Sequence, residues 1–467
     1  MHILLLIVYG TLASIAIWRM PFLKKSGIRA GWLWVLFGAH VLTGWLHNWI
    51  AYRYFPDHGD IWNYFSLSFL YRHRLLSEFN LFLSDNSTWT YITHNGIVFI
   101  QMFLDLLSSD DMNINTLLFA FPVFLGNVAL FRVFRRRFAD DTLAATTVFW
   151  LPSVLFWTAC IYREGMLFML LGFLFYHLDC LFTNSTLRPR PNPGDHGPRP
   201  ARGARRPLIY VLVLFLLIAY FRMAVAILLI PALLTWYWIE HPLPRRTRRI
   251  LAAAIPLLII LVFSIPGLRE PLLRSVTTEQ ASFLVLEGRS RLPLPALDNT
   301  LGSVWRAFPA AIRNGFFEPI PGSGGQPIYL AFSIELLLVW GMVLLAAVYK
   351  TFPAKSNLHR QIQTPADTVP PAPGTKPTPT DRPTPRPRSA PGSQPALSPR
   401  RPRSGFPSSC LLFALAGMLT IGFFVPFAGT IVRYRSIYLP FLLAPALHTL
   451  SSLPVIQRLN IWLNNKL

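Results

Sequence analysis

The chain is built from continuous apolar blocks, each about as long as a bilayer core is thick. Runs such as VLVLFLLIAYF and ELLLVWGMVLLAAVY carry no charge after their first residue and do not alternate polar with apolar positions. A span of about 20 apolar residues crosses a hydrocarbon layer of about 30 Å as a helix. Within lipid, only helices and closed barrels satisfy every backbone donor and acceptor. Unbroken blocks point to helices. The expected fold class is therefore all-α, a polytopic transmembrane helix bundle of about eleven spans, placed near 2–19, 31–50, 113–132, 143–161, 164–182, 207–221, 223–239, 250–267, 327–349, 409–429 and 436–452. The region 96–108 is shorter and reads as a further span or as a re-entrant or interfacial helix. Only 14% of the residues are charged, well below the quarter or so usual in soluble domains.

A net charge of +22 raises the question of nucleic acid, but its distribution answers against it. The basic residues sit in the loops between blocks, where the positive-inside rule places them. Lys24, Lys25 and Arg29 follow the first block, Arg135, Arg136 and Arg137 the third, and Arg245, Arg246, Arg248 and Arg249 precede the eighth. With the N-terminus outside, these segments and the Arg-bearing stretches 183–206 and 350–407 all fall on the cytoplasmic side. The first block has its basic residues after it rather than before it, so it reads as a retained helix and not a cleavable signal. The stretches 183–206 and 355–407 are Pro-rich and of low complexity, a composition suited to linkers. The expected organisation is an N-terminal membrane module over 1–182, a linker over 183–206, a central module over 207–349, a second linker over 350–407 and a C-terminal module over 408–467. The expected location is the cell (inner) membrane. Cys160, Cys180 and Cys410 are scattered and form neither a metal set nor a disulfide framework.

The same topology leaves 51–112, the turns near 162–163 and 222, the loop 268–326 and the turn 430–435 outside. If charge only set orientation, these would be poor in Arg. Instead Arg163 and Glu164 sit in FWTACIYREGMLF, Arg222 in AYFRMAV, and Arg433 and Arg435 in GTIVRYRSIYLP. A single such Arg can be a snorkelling side chain. Several on one face suggest a phosphate site, because a guanidinium keeps its charge and forks onto phosphate oxygens. The acidic counterpart is FPDHGDIWNYF, where Asp57 and Asp60 flank His58 and Gly59. A carboxylate there can act as a general base or hold a divalent cation; Asp60 also suits a helix start. Trp62, Tyr64 and Phe65 follow, suited to stacking on a sugar ring or to the interfacial belt. The stretch 61–112 is long enough for two short amphipathic helices on the membrane. Glu318 lies in RNGFFEPIPGSGG, and Glu335, inside a span, is expected to face inward and pair with a cation.

These features resemble the GT-C superfamily of membrane glycosyltransferases: an Asp-bearing outer loop at Asp57 to Asp60, charged short outer turns as at Arg163 and Glu164, and a late RYR turn from Arg433 leading to Pro440. Here one more span precedes the Asp loop than in that family's common plan. The resemblance implies sugar transfer from a polyprenyl-phosphate donor to a glycan, lipid or protein acceptor on the non-cytoplasmic face. Asp60 or Asp57 would be the base. Arg163, Arg222, Arg433 and Arg435 would hold the lipid phosphate, with His58, Glu164 and Glu318 as further substrate contacts. No Asp-x-Asp or Glu-Asp pair is present, so no cofactor is required, although a divalent cation remains open. The alternatives are a polymerase or ligase of lipid-linked surface polysaccharide, a transporter or flippase for an anionic lipid, and a non-catalytic assembly subunit acting through its Pro/Arg-rich loops.

Overall fold

The structure, a computed structural model, describes residues 1–55, 59–84, 95–186, 205–241, 264–288, 290–322, 327–351, 405–451 and 453, together with scattered positions between 244 and 261. Among them the regular structure is helical, apart from one isolated antiparallel bridge between Arg291 and Phe427. Six helices are long and apolar enough to cross a membrane: His2–Arg19, Met112–Phe138, Arg163–Thr183, Met223–Glu240, Pro327–Thr351 and Phe406–Phe424. Gly96–Ser108, Pro207–Phe221 and Leu439–Leu450 are apolar but shorter. Ala30–Tyr54 has the length of a span, at 25 residues, and buries His40, His47 and Asn48 along one side. The chain is thus a multi-pass membrane protein by helix length and composition. The expected span over 250–267 lies largely outside the described residues.

Three expected elements take a different form. The block 143–161 is two helices, Asp141–Phe149 and Pro152–Thr158, broken at Trp150 and Leu151. Pro152 causes the break, because its ring has no N–H to donate and clashes with a preceding helical turn. The second helix then begins inside the bundle with free N–H groups. Glu335 meets that need from the Pro327–Thr351 helix: its carboxylate accepts from Ser153 N at 3.1 and 3.2 Å and from Ser153 Oγ at 3.0 Å. Glu335 therefore faces inward as expected, but its hydrogen-bond partner is a helix N-terminus rather than the expected cation. The stretch 268–326, expected as an outer loop, carries helices Pro266–Leu284 and Leu301–Ile312 and a π-helical turn, Arg313–Phe317. Residues 428–435, expected largely as a turn, form a helix of their own, Ala428–Arg435.

The most buried of the six spans, Met112–Phe138, crosses Arg163–Thr186 where two glycines face each other. A Cβ on Gly172 would lie 2.1 Å from Gly126 O, and one on Gly126 would lie 2.4 Å from the Met169 Cα. Small residues let helix backbones touch in this way, and in lipid such packing replaces the hydrophobic drive. A second pair repeats it, since a Cβ on Gly422 would sit 1.9 Å from Ala311 O. The large aromatics Phe134, Phe175, Trp236, Phe406 and Phe441 fill the core beside the first crossing.

Charge is confined largely to the two ends of this bundle. At one end Arg136 and Arg137 both bind the fully buried Asp179, and Arg137 also reaches Glu240 at 2.5 Å. Arg135 pairs with Asp141 at 2.6 Å and donates to Ser26 O at 3.0 Å. The Arg triplet read as a topology signal is therefore also a clamp joining three other helices to its own. At the other end lie Asp60, Arg163, Glu164, Arg222 and Arg433.

The glycine crossing generates a prediction. Gly172→Leu has no room at the backbone contact, and forcing side-chain volume into a packed interior costs about 1–3 kcal/mol or more. The thermal midpoint in detergent should fall clearly below wild type, whereas Gly10→Leu, where a Cβ meets nothing within 4 Å, should leave it unchanged. Equal midpoints for the two variants would refute the crossing.

Candidate functional site

A cavity of about 550 Å³ opens at the second end of the bundle, and Asp60, Arg163, Glu164, Arg222 and Arg433 all line it. Each is delivered by a helix terminus. Gly59 takes φ +72° and starts the Gly59–Ser77 helix, putting Asp60 in its first turn. That left-handed backbone favours glycine, and a carboxylate in a first turn is stabilised by the helix dipole. Arg163 and Glu164 open the Arg163–Thr186 helix. Arg222 is the N-cap of Met223–Glu240, at the sharp link from Arg205–Phe221.

Arg433 is the hub. Its Nη1 lies 2.6 Å from Asp60 Oδ2 and its Nε 3.8 Å from Glu164 Oε1, while Arg222 Nη2 approaches the same Glu164 oxygen at 3.5 Å. The rings of Tyr162 and Tyr434 both stack on the Arg433 guanidinium, each with its centroid 5.1 Å away, and Arg222 lies 3.9 Å from the Tyr434 centroid. Arg433 Nη2 also donates to the Tyr434 hydroxyl at 3.4 Å. Two guanidinium groups are thus held side by side by one buried carboxylate and by aromatic faces, both of which attract cations. Arg433 Nε has no hydrogen-bond acceptor. Arg163 turns to Asn95 Oδ1 at 2.7 Å.

The surrounding phenols feel these charges in opposite senses. Burial, helped by the Asp60 carboxylate, pushes Tyr64 up to about 12. Burial also pushes the Tyr434 phenol up, but the guanidinium groups of Arg222 and Arg433 outweigh it and leave the group below the ordinary phenol range.

Five of the nine residues expected at the site come together in this way. Arg435 does not join them. Residues two apart on a helix do not share a face, so with Arg433 on the cavity, Arg435 points into the protein, 1% exposed, and donates to Glu318 O at 2.5 Å. Glu318 is also away from the cavity: its carboxylate pairs with Arg313 at 3.0 Å and accepts from Ile320 N at 3.0 Å. Asp57 and His58 lie outside the described residues. Of the aromatics after Asp60, Tyr64 lines the cavity, whereas Trp62 donates to Asn48 O at 3.2 Å.

Tyr162, Tyr434, Asn63 and Glu287 line the cavity and were not expected there. The two tyrosines had a signal in the sequence, since Tyr162 precedes Arg163 and Tyr434 separates Arg433 from Arg435. Glu287 comes from the stretch after Pro266–Leu284, which is held over the cavity by Ala428 N donating to Ser290 O at 3.0 Å and Leu292 N to Pro426 O at 2.6 Å. Among the described residues, no group of three or more His, Cys, Asp or Glu side chains is placed to hold a metal ion.

No protein-family model, curated protein or solved structure matches the chain.

Burial separates the two carboxylates that Arg433 contacts. The Asp60 side chain is 49% exposed and that of Glu164 only 2%. Water screens the first pair, so its loss costs about 0–1 kcal/mol. Losing a buried partner strands charge and costs about 3–5 kcal/mol. Glu164→Gln should lower the unfolding midpoint much further than Asp60→Asn. The reverse order would contradict this electrostatic arrangement.

Proposed function

We propose that this chain is a membrane glycosyltransferase that takes a sugar from a polyprenyl-phosphate donor and passes it to a hydroxyl-bearing acceptor on the non-cytoplasmic side. The observation that carries this reading is the cavity itself, where three guanidinium groups meet a half-exposed carboxylate and one arginine N–H has no acceptor. A cavity of about 550 Å³ falls in the range of about 300–1,000 Å³ typical of small-molecule sites.

The chemistry follows from the charges. The acceptor oxygen attacks the anomeric carbon, the bond from that carbon to the phosphate oxygen breaks, and its electron pair leaves with the lipid phosphate. Arg433 and Arg222 stabilise the growing negative charge, in a site where fixed donors need no reorganisation. Asp60 accepts the hydroxyl proton. In the structure Asp60 is bound to Arg433. The incoming phosphate competes for that guanidinium and releases the carboxylate to act as the base. Glu164, bound to both arginines, fixes the clamp rather than the substrate. The position of the cavity's charges at an end of the bundle supports an enzyme over a transporter, whose polar site lies near the bilayer midplane.

The test is transfer from candidate polyprenyl-phosphate sugars by the purified protein. General-base catalysis contributes about 10²–10⁴-fold, so Asp60→Asn should lower kcat by about 100-fold or more with little change in donor KM, while Arg222→Ala should raise donor KM. Full turnover by Asp60→Asn would overturn the assignment of the base and favour a polymerase or ligase working through its arginines.

A further inference from the structure

At the end of the bundle away from the cavity, Arg135, Arg136 and Arg137 are all matched by carboxylates, and Asp141, Asp179 and Glu240 are taken up in matching them. Arg132, one turn earlier in Met112–Phe138, is different. It rests on two aromatic rings, with its guanidinium carbon 5.0 Å from the Phe22 centroid and 4.9 Å from that of Tyr176. Among the described residues it meets no carboxylate and no hydrogen-bond acceptor. The rings are built into place. Pro21 opens the short helix Pro21–Lys24, and Leu23, 0% exposed, roots that helix in the core, which sets Phe22 beside Arg132. Tyr176 comes from Arg163–Thr186 and meets Phe22 edge-on at 5.6 Å.

Two more cations flank Phe22 in the chain. Arg19 and Lys24 both lie over the Trp18 ring, 5.0 and 6.0 Å from its centroid. Both are exposed, and among the described residues neither has an ion-pair partner. A ring face attracts a cation but leaves its charge uncancelled and its N–H groups free to donate. The depth is that of lipid headgroups. Met112–Phe138 has 27 residues, about 40 Å at 1.5 Å per residue, which matches a bilayer with its headgroup layers. Arg132 is then about 9 Å from the end of that helix, and a long basic side chain reaches from such a depth to the phosphates. The face is open to lipid: only 6% of the His2–Arg19 span is buried, and Trp18 is 58% exposed.

We propose that Arg132, Arg19 and Lys24 bind the phosphate of an anionic phospholipid in the leaflet at this end of the bundle. Arg132 offers a planar fork of N–H donors that matches two phosphate oxygens. Phe22 and Tyr176 hold that fork in advance, so less side-chain freedom is lost on binding. Arg19 and Lys24 add attraction for net negative charge. A zwitterionic headgroup carries its own ammonium beside the phosphate and gains less from three cations, so the match is a headgroup with a net negative charge. The bound lipid fastens His2–Arg19, the least buried of the six spans, to Met112–Phe138, the most buried. This proposal does not depend on the function assigned to the cavity.

The test is native mass spectrometry of the full-length protein in detergent, titrated with phosphatidylglycerol or with phosphatidylcholine. Wild type should retain a first phosphatidylglycerol at several-fold lower concentration than phosphatidylcholine. Arg132→Gln, which removes the charge, should weaken phosphatidylglycerol retention several-fold and leave phosphatidylcholine unchanged. Arg306→Gln, at an exposed arginine on Leu301–Ile312, should change neither. Equal retention of the two lipids by wild type would overturn the proposal. A preference undiminished in Arg132→Gln, or diminished as much in Arg306→Gln, would overturn it too, by placing the lipid elsewhere. Phosphatidylglycerol displaced by an equal concentration of inorganic phosphate would do the same, by making this a site for the free anion. If Arg132→Gln does not fold, the double variant Arg19→Gln/Lys24→Gln, with both changes at exposed positions, decides: a weaker preference for phosphatidylglycerol supports the site, and an unchanged one refutes it.

Discussion

Inside an apolar bundle, every backbone N–H and every charge must find a partner within the protein, and this requirement organises the structure. The break at Trp150 and Leu151 is tolerated because the Glu335 carboxylate closes the start of Pro152–Thr158. Arg435, buried two residues beyond the hub arginine, donates from Nη1 to backbone carbonyl oxygens at the π-helical turn, chiefly Glu318 O. Asp179, buried in the Arg163–Thr186 helix, is held by two guanidinium groups from the end of Met112–Phe138. In each case a polar group on one helix answers a need on another, so the partnerships also fix how the helices sit together.

At the cavity that pairing is left incomplete. Arg222 and Arg433 lie side by side, which two like charges would otherwise resist, and Glu164, Tyr162 and Tyr434 hold them there. Asp60 occupies one edge of Arg433 with half its side chain open to solvent, and Arg433 Nε lacks an acceptor. The rigid part of the clamp is buried and the exchangeable part is exposed. That division suits a site that must be preorganised for an anion and yet release its carboxylate when the anion arrives.

Much of this could be read from the sequence, for definite reasons. Apolar blocks of membrane length announced the helical bundle, because few other structures can use them. Arg163, Glu164, Arg222, Arg433 and Asp60 stood out because charge is scarce in this chain. What failed was direction. Arg433 and Arg435 look equivalent in RYR, and only the helical form of Ala428–Arg435 sends them to opposite sides. Glu318 stood in a segment expected outside, but Arg313 and the Ile320 N–H hold it away from the cavity. Pro152 inside an apolar run marked the break at 150–151 locally, yet its tolerance depends on Glu335, 182 residues away in the chain. Asp179 and Glu240 passed unremarked as single acids within or beside apolar helices. Their partners come from other helices, and no local pattern encodes such pairings.

The central claim is that Arg433 exchanges Asp60 for a substrate phosphate. The most direct measurement is an experimental structure with a non-hydrolysable phosphonate analogue of a polyprenyl-phosphate sugar. The account predicts the phosphonate within hydrogen-bond reach of Arg433 and Arg222, with Asp60 released from its 2.6 Å contact and turned toward the sugar. An analogue bound elsewhere, with the Asp60–Arg433 pair intact, would contradict it.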